Sequence, residues 1–444
     1  MPKRTKQQDL FGSLGRRRIE VGFDGGEVTS DSGLLLLRQV EQRLGVLKAA
    51  ARVLPDPRNP FFVVHTTEHL LRQRVFGLCQ GYEDLNDHDR LRCDPALQTA
   101  LDKRGTKPEL QLGASSPTLC RFEARSDRQA AVQLHRVLVE QFIASFGQAP
   151  EELILDFDAT NDPVHGEQIG RHFSGYYDEY CFLPLYVFCG EQLLVAYLRS
   201  AKFDAALHTT AVLKLLTKRL RQAWPKVRLV FRGDSGFCRD RLMSWCERHG
   251  VDDIIGLAKN SRLLDLAADW RQYAEENFAA TGEPQRVFGD FRYRAASSWR
   301  RERRVVAKAE HNAQGANPRF IVTSLPEPAQ QAYEWIYCAR GEMENRIKEC
   351  QLGLYADRTS CHLWWPNQFR LLLASLAYVL MERLRHVGLA GTELARAQIS
   401  TLRCKLLKVG AVVVRNTRRI RFFISSAFPE RDAFVQVAQR FASG

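Results

Sequence analysis

Three acidic residues stand in strings suited to holding metal ions. Asp158 closes the apolar run LILDFD, Asp234 follows VRLVFR in the string RGDSGF, and Glu344 lies in ARGEMENRIKE. Hard divalent cations take oxygen ligands, and Mg²⁺ keeps several waters while accepting few carboxylates. Two such ions about 3.5–4 Å apart activate a water or a 3′-hydroxyl and stabilise the leaving oxygen. Three acids from separate elements suit that task, with Mg²⁺ as the expected cofactor and Mn²⁺ as its substitute. A single Asp at a strand end is more often a cap or a solvated carboxylate, so the weight rests on the elements around all three. Asp156 lies two residues before Asp158 and shares its face on a strand, so it competes for the same role or supports it.

Tyr337, Arg340, Glu344 and Lys348 recur at helical spacing and form one stripe. Arg340, one turn before Glu344, is placed to orient it or to hold a phosphate, and Lys348 to contact DNA phosphate. The plainer alternative is a pair of surface ion pairs, which contribute little.

Those residues need elements to position them. From 151 onward the pattern gives three strands, a helix, a strand, a helix and a further strand. That is the order of an RNase H-like α/β core, a mixed sheet flanked by helices. The expected divisions are a basic arm over 1–30, a helical, DNA-binding domain over 31–150, and the first part of the core over 151–261. Then come a β-rich insertion over 262–332, the core completion carrying Glu344 over 333–390 and a basic C-terminal region over 391–444. Ser30 and Asp31 are candidate caps for a helix over 33–44, and the arginines from Arg72 to Arg92 suit either a DNA-reading surface or a scaffold bundle. The insertion holds eight basic and two acidic residues between Arg286 and Lys308, interleaved with Phe288, Phe291, Tyr293 and Trp299. That mixture suits phosphate contact and base stacking, or else a twisted sheet with a charged outer face.

The bulk composition agrees with a packed, nucleic-acid-binding protein. Apolar residues make up 45% of the 444, and 64 Lys and Arg outweigh 51 Asp and Glu for a net charge of +13. An excess of that sign points to a polyanion, and Lys3, Arg4, Lys6 and Arg16-Arg17-Arg18 concentrate it near the N-terminus. The longest apolar run, Leu371 to Met381, is too short for a bilayer, so no membrane role is expected. Eleven cysteines without a CxxC pair suit reduced thiols in the cytoplasm.

The three acidic strings, read together, resemble DDE transposases of bacterial insertion sequences with an inserted β-domain. That group carries a Y-x2-R-x3-E-x6-K signature, which Tyr337, Arg340 and Glu344 match. Its last position is Gln351 here, and Lys348 stands three residues early. The strings DATNDPVHG, GYYDEYCFLPLYVF, RGDSGFC and RGEMENRIKE are more similar still to insertion-sequence family thirteen-eighty. The resemblance implies cut-and-paste transposition: binding of terminal inverted repeats in double-stranded DNA, nicking, and joining of 3′-OH ends to target DNA by a homodimer. It also implies a bacterial, nucleoid-associated protein, and Trp299 as the tryptophan that receives a flipped base. The alternatives are a domesticated DNA-binding protein and a non-transposing RNase H-like nuclease. His65-Thr66-Thr67-Glu68-His69 fits a zinc-protease pattern that recurs by chance, and no proteolytic cleft is expected around it.

Overall fold

The computed structural model describes residues 12–103 and 111–442, so Lys3, Arg4 and Lys6 lie outside the described residues. The chain divides into two compact units. One comprises residues 46–56 and 121–382, and the other 1–45, 57–120 and 383–444.

The larger unit is built on a nine-stranded mixed sheet. Its centre consists of β1 (Glu152–Ala159), β2 (Leu185–Cys189), β3 (Gln192–Tyr197), β4 (Arg228–Gly233) and β5 (Asp252–Leu257). Helices α1 (Thr209–Ala223) and α2 (Asp240–Arg248) connect β3 to β4 and β4 to β5. β1, β4 and β5 run parallel, while β2 pairs antiparallel with β1 and β3 antiparallel with β2. The resulting order, β3-β2-β1-β4-β5, is that of an RNase H-like core.

The alternation of β1 sets the two faces of this sheet. Leu153, Leu155 and Phe157 point to one face and pack with Leu229, Phe231 and helix residues such as Leu216 and Met243. Ile154 takes the other face, with Val230, Ile254, Ala332 and Tyr333. Asp156 and Asp158 share the parity of Ile154, and Arg232 and Asp234 that of Val230. All four therefore belong to the face covered by the segment that leads to Glu344.

The β-rich insertion expected over 262–332 does not form a sheet of its own. It begins with two helices, Ser261–Leu266 and Ala268–Thr281. Its strands β6 (Gln285–Tyr293), β7 (Arg303–Asn312) and β8 (Arg319–Thr323) extend the central sheet in the order β6-β7-β8-β5. The cause is β8, whose run FIVT is buried on both faces and pairs antiparallel with β5 on one side and β7 on the other. The aromatics pack inward rather than standing between basic residues in solvent: Phe291 stacks on Trp270, and Phe288 lies against Tyr333. Basic residues here pair with acids, as in Arg303 with Asp240 and Glu247, and Arg304 with Asp290.

Helix Arg128–Ala144 belongs to this unit too. Val139 and Phe142 enter its core, and His135 Nε2 lies 3.1 Å from the Ala196 carbonyl on β3. The helical stretch over 31–150 is thus shared between the two units.

The smaller unit joins both ends of the chain. Helices Leu34–Leu44, Thr67–Gln80, Pro95–Ala100 and Arg431–Ala442 accompany a three-stranded sheet of Glu27–Thr29, Ala411–Arg415 and Ile420–Ile424. Arg72, Gln73 and Arg74 are buried in helix Thr67–Gln80; Arg72 pairs with Asp102, and Gln73 binds the Ala114 backbone at both ends of its amide. Their burial leaves no DNA-reading face at those three residues, whereas Arg90 is exposed. Ser30 and Asp31 do not cap helix Leu34–Leu44 with their side chains; Asp31 instead meets Lys408 at 2.8 Å and accepts a hydrogen bond from the Tyr82 hydroxyl. In the zinc-protease-like string, Thr66 caps helix Thr67–Gln80 and Glu68 pairs with Arg72, so His65 precedes the helix on which His69 lies. Arg16, Arg17 and Arg18 are exposed on a two-stranded turn. No helix among the described residues is long and apolar enough to cross a membrane.

Candidate active site

Parallel pairing of β1 with β4 sets Phe157 opposite Gly233, so Asp158 and Asp234 leave the same edge side by side. Asp158 Oδ1 accepts from the Ala159 N–H at 2.9 Å, and Asp234 Oδ1 accepts from the Gly236 N–H at 2.9 Å, capping the turn Ser235–Phe237. In each case the second oxygen faces one cation. Arg340 Nη2 lies 3.1 Å from Asp158 Oδ2 and 3.9 Å from Asp234 Oδ2, while its Nη1 lies 3.3 Å from Glu344 Oε1. One guanidinium therefore bridges carboxylates from two strand ends and a helix.

That helix is irregular in a useful place. A π-helical turn, Ala332–Tyr337, and a 3₁₀ turn, Cys338–Arg340, precede α3 (Gly341–Lys348). Extra residues per turn rotate the side chains downstream to a new facing, a feature common at functional sites. The Tyr337 hydroxyl is seated at Gly256 of β5. A Cβ there would meet that oxygen at 2.5 Å and the Ser235 nitrogen at 2.8 Å, so only glycine admits this approach. Beside it opens a cavity of about 490 Å³, lined by Ser235, Gly256, Lys259, Arg319, Tyr333 and Tyr337 among others.

Asp158 and Asp156 differ sharply despite their shared face. Both oxygens of buried Asp156 are engaged by Arg232, whose Nη1 also donates to the Ile336 carbonyl. The sheet register places Arg232 directly opposite Asp156. Asp158 pairs with Arg340 alone among the described residues, and its pKa rises from the ordinary 3.8 to about 6. Burial is the main cause; the negative charges of Asp234 and Glu344 add to it, while Arg340 and the Ala159 N–H oppose it. The three carboxylates share the Arg340 guanidinium, and their donors are all oxygens, the kind a hard divalent metal takes.

The family model described as "Transposase DDE domain group 1" matches residues 11–443. The chain belongs to this family of DDE transposases. It is therefore a DNA transposase, an enzyme that cuts and joins DNA. Among solved structures, the cryo-EM structure of a piggyBac transposase synaptic complex with hairpin DNA aligns at 10% identity with a TM-score of 0.43. The alignment covers 85% of this chain and 80% of that one. No curated protein matches.

The remaining residues singled out in this DDE transposase are placed less uniformly. Tyr337 joins the stripe with Arg340 and Glu344, and Lys348 is exposed one turn further on. Gln351, at the lysine position of the signature, donates to the Asn161 carbonyl at 2.8 Å and ties the helix to the segment after Asp158. Trp299 is 6% exposed and lies in the core, edge-on to Tyr293 with the Arg303 guanidinium over its ring. Arg303, which covers the ring, is itself held by Asp240 and Glu247 of α2, so the ring is not presented to a base. The transposase also brings in a residue that spacing did not suggest. Tyr177, in the turn between His172–Ser174 and Glu179–Phe182, is pushed up to about 12 chiefly by burial, with Asp158 and Asp234 among the charges acting on it. Its only sequence signal is the aromatic-rich string GYYDEY.

Proposed function

We propose that this transposase belongs to a bacterial insertion sequence of family thirteen-eighty and moves it by cut-and-paste. It nicks at the 3′ ends of terminal inverted repeats and joins the freed 3′-OH ends to target DNA. The convergence of Asp158, Asp234 and Glu344 on Arg340 carries this reading.

In this reading the three acids hold Mg²⁺, or Mn²⁺ in its place, which when bound lowers the pKa of the attacking water or hydroxyl and neutralises the leaving oxygen. Asp158 and Asp234 fix the strand-edge side of the scissile phosphate, and Glu344 closes the site from α3. Arg340 then turns from the acids to a phosphate oxygen, which its planar fork suits. Tyr337 sets the depth at which α3 approaches β5. Lys259 and Arg319, on the rim of the adjoining cavity, neutralise backbone phosphates, and Lys348 extends that track. The smaller unit binds the DNA ends through the exposed Arg418, Arg419 and Arg421 at its hairpin. Two ends are paired by a homodimer.

The test supplies the purified protein with duplexes ending in the inverted repeat of the source element. Mg²⁺-dependent 3′ nicking, followed by joining of a pre-cut end to a plasmid, is the expected result. Nicking without joined product would mark a nuclease instead, and binding without nicking a domesticated protein.

A further inference from the structure

One sheet face in the smaller unit is open. The hairpin strands Ala411–Arg415 and Ile420–Ile424 bury Ala411 and Val413 on one side and expose Val412, Val414 and Phe423 on the other. Val412 lies between Phe423 and the exposed Val28 in one cross-strand row, and Arg421 stands opposite Val414 in the next. Strand Glu27–Thr29 pairs only with Ala411–Val413, so from Val414 to Arg421 the hairpin continues two strands wide. Its tip is fixed from within. Asn416 Oδ1 accepts from the Arg418 and Arg419 N–H groups at 3.0 and 2.8 Å, and the Asn416 N–H donates to the Arg419 carbonyl at 3.0 Å.

Charge is unbalanced at this tip. From Thr401 to Pro429 the sequence has seven basic residues and no acid. Those nearer the body of the unit are engaged: Lys405 pairs with Glu430, Lys408 with Asp31 and Arg415 with Glu27, while Arg403 binds the Leu78 and Cys79 carbonyls. Arg418, Arg419 and Arg421 are exposed and pair with no acid among the described residues.

A contiguous exposed apolar face marks a contact surface, and the three arginines decide what meets it. A second copy docked through this face about a twofold axis would bring the same unpaired cations together, which is unfavourable. DNA matches both features. Its phosphates suit the arginines, and its major groove admits a two-stranded β-ribbon and presents thymine methyls to apolar side chains.

We infer that the hairpin is the base-reading element of the smaller unit. Its strands lie in the major groove of the DNA end, with Val414 and its diagonal neighbour Phe423 against thymine methyls and Arg418 and Arg419 on flanking phosphates. This rests on the reading that the smaller unit binds the DNA ends, and adds the groove and the contacts that read sequence.

The test uses the full chain and duplexes carrying the inverted repeat of the source element, with dU replacing dT at one position at a time. Each replacement deletes one major-groove methyl and requires no change in the protein. At contacted positions the Kd should rise about fourfold, the effect of returning one such group to water. The double variant V414S/F423S should respond to none of the replacements and should favour the repeat less over unrelated DNA. Both side chains are about half exposed, so their truncation spares the fold. The double variant R418A/R419A should weaken binding to repeat and unrelated DNA alike and lower the salt slope by about two. No dU effect at any position, or a dU profile retained by V414S/F423S, overturns the groove reading alone. A salt slope unaltered in R418A/R419A takes the hairpin off the DNA and removes the reading beneath it. Loss of a dimer in V414S/F423S with the dU response intact would assign the face to a second copy instead.

Discussion

Arg340 Nη2 lies 3.1 Å from Asp158 Oδ2, although 182 positions separate the two residues in the chain. This contact places a fixed positive charge where three carboxylates converge. It explains how the acids coexist, and it names the group that a metal held by them would displace.

Replacing Arg340 with Met should therefore destabilise the metal-free protein at pH 8. Breaking a partly buried pair costs about 3–5 kcal/mol when the remaining charge is stranded; partial exposure of Asp234 and Glu344 lowers the expectation to about 2–3 kcal/mol. Mg²⁺ should restore much of the loss. Denaturant unfolding of both proteins in EDTA and in Mg²⁺ checks this, and an equal loss under both conditions would argue against displacement.

Acidity should act in two directions. The Asp158 pKa is raised to about 6, above its unfolded value, so this residue's contribution to stability is fully present below about pH 4 and lost as pH rises through 6. A rise of that size corresponds to at most about 3 kcal/mol. Metal binding follows the opposite trend, because below pH 6 the ion must displace a proton. Calorimetric titration at pH 5.0 and 7.5 should show weaker Mg²⁺ binding at the lower value, and Asp158→Asn should flatten the pH profile of metal-free stability between pH 4 and 7.

Gly256→Ala should push Tyr337 away from β5. Overpacking of this kind costs about 1–3 kcal/mol, and here it also moves the helix that carries Arg340 and Glu344. Nicking should fall more than stability does. Adding Tyr337→Phe removes the nearest clashing oxygen and should recover part of the stability; no recovery would locate the clash at the Ser235 backbone instead.

Asp156→Asn separates the two neighbouring acids. It breaks the Arg232 pair and should cost about 3–5 kcal/mol of stability. At a temperature where the variant stays folded, it should still bind Mg²⁺ and nick DNA. Loss of metal binding in a folded Asp156 variant would make it a ligand.

Much of the catalytic unit is visible in sequence because its strands are short apolar runs bounded by turn and helix signals. LILDFD ends at an acid and VRLVFR runs on to one, and the parallel order brings those ends together. The choice between Asp156 and Asp158 is not visible there, since it depends on Arg232 standing opposite Asp156 across the sheet. That the strands over 285–323 extend the central sheet is hidden for a similar reason: their apolar alternation is local, whereas the pairing of β8 with β5 is not. Trp299, Arg72 and Arg74 mislead in the same way. Aromatic and basic residue types suggest DNA contact, and tertiary packing buries them.

The central claim is that Asp158, Asp234 and Glu344 act as one metal-dependent set. The most direct measurement is single-turnover nicking of an inverted-repeat duplex by D158N, D234N and E344Q singly, with DNA affinity measured in parallel. Each should nick at least roughly a thousandfold more slowly, equivalent to about 4 kcal/mol, while binding DNA nearly as tightly as the parent. Normal nicking by any one of the three would contradict the assignment.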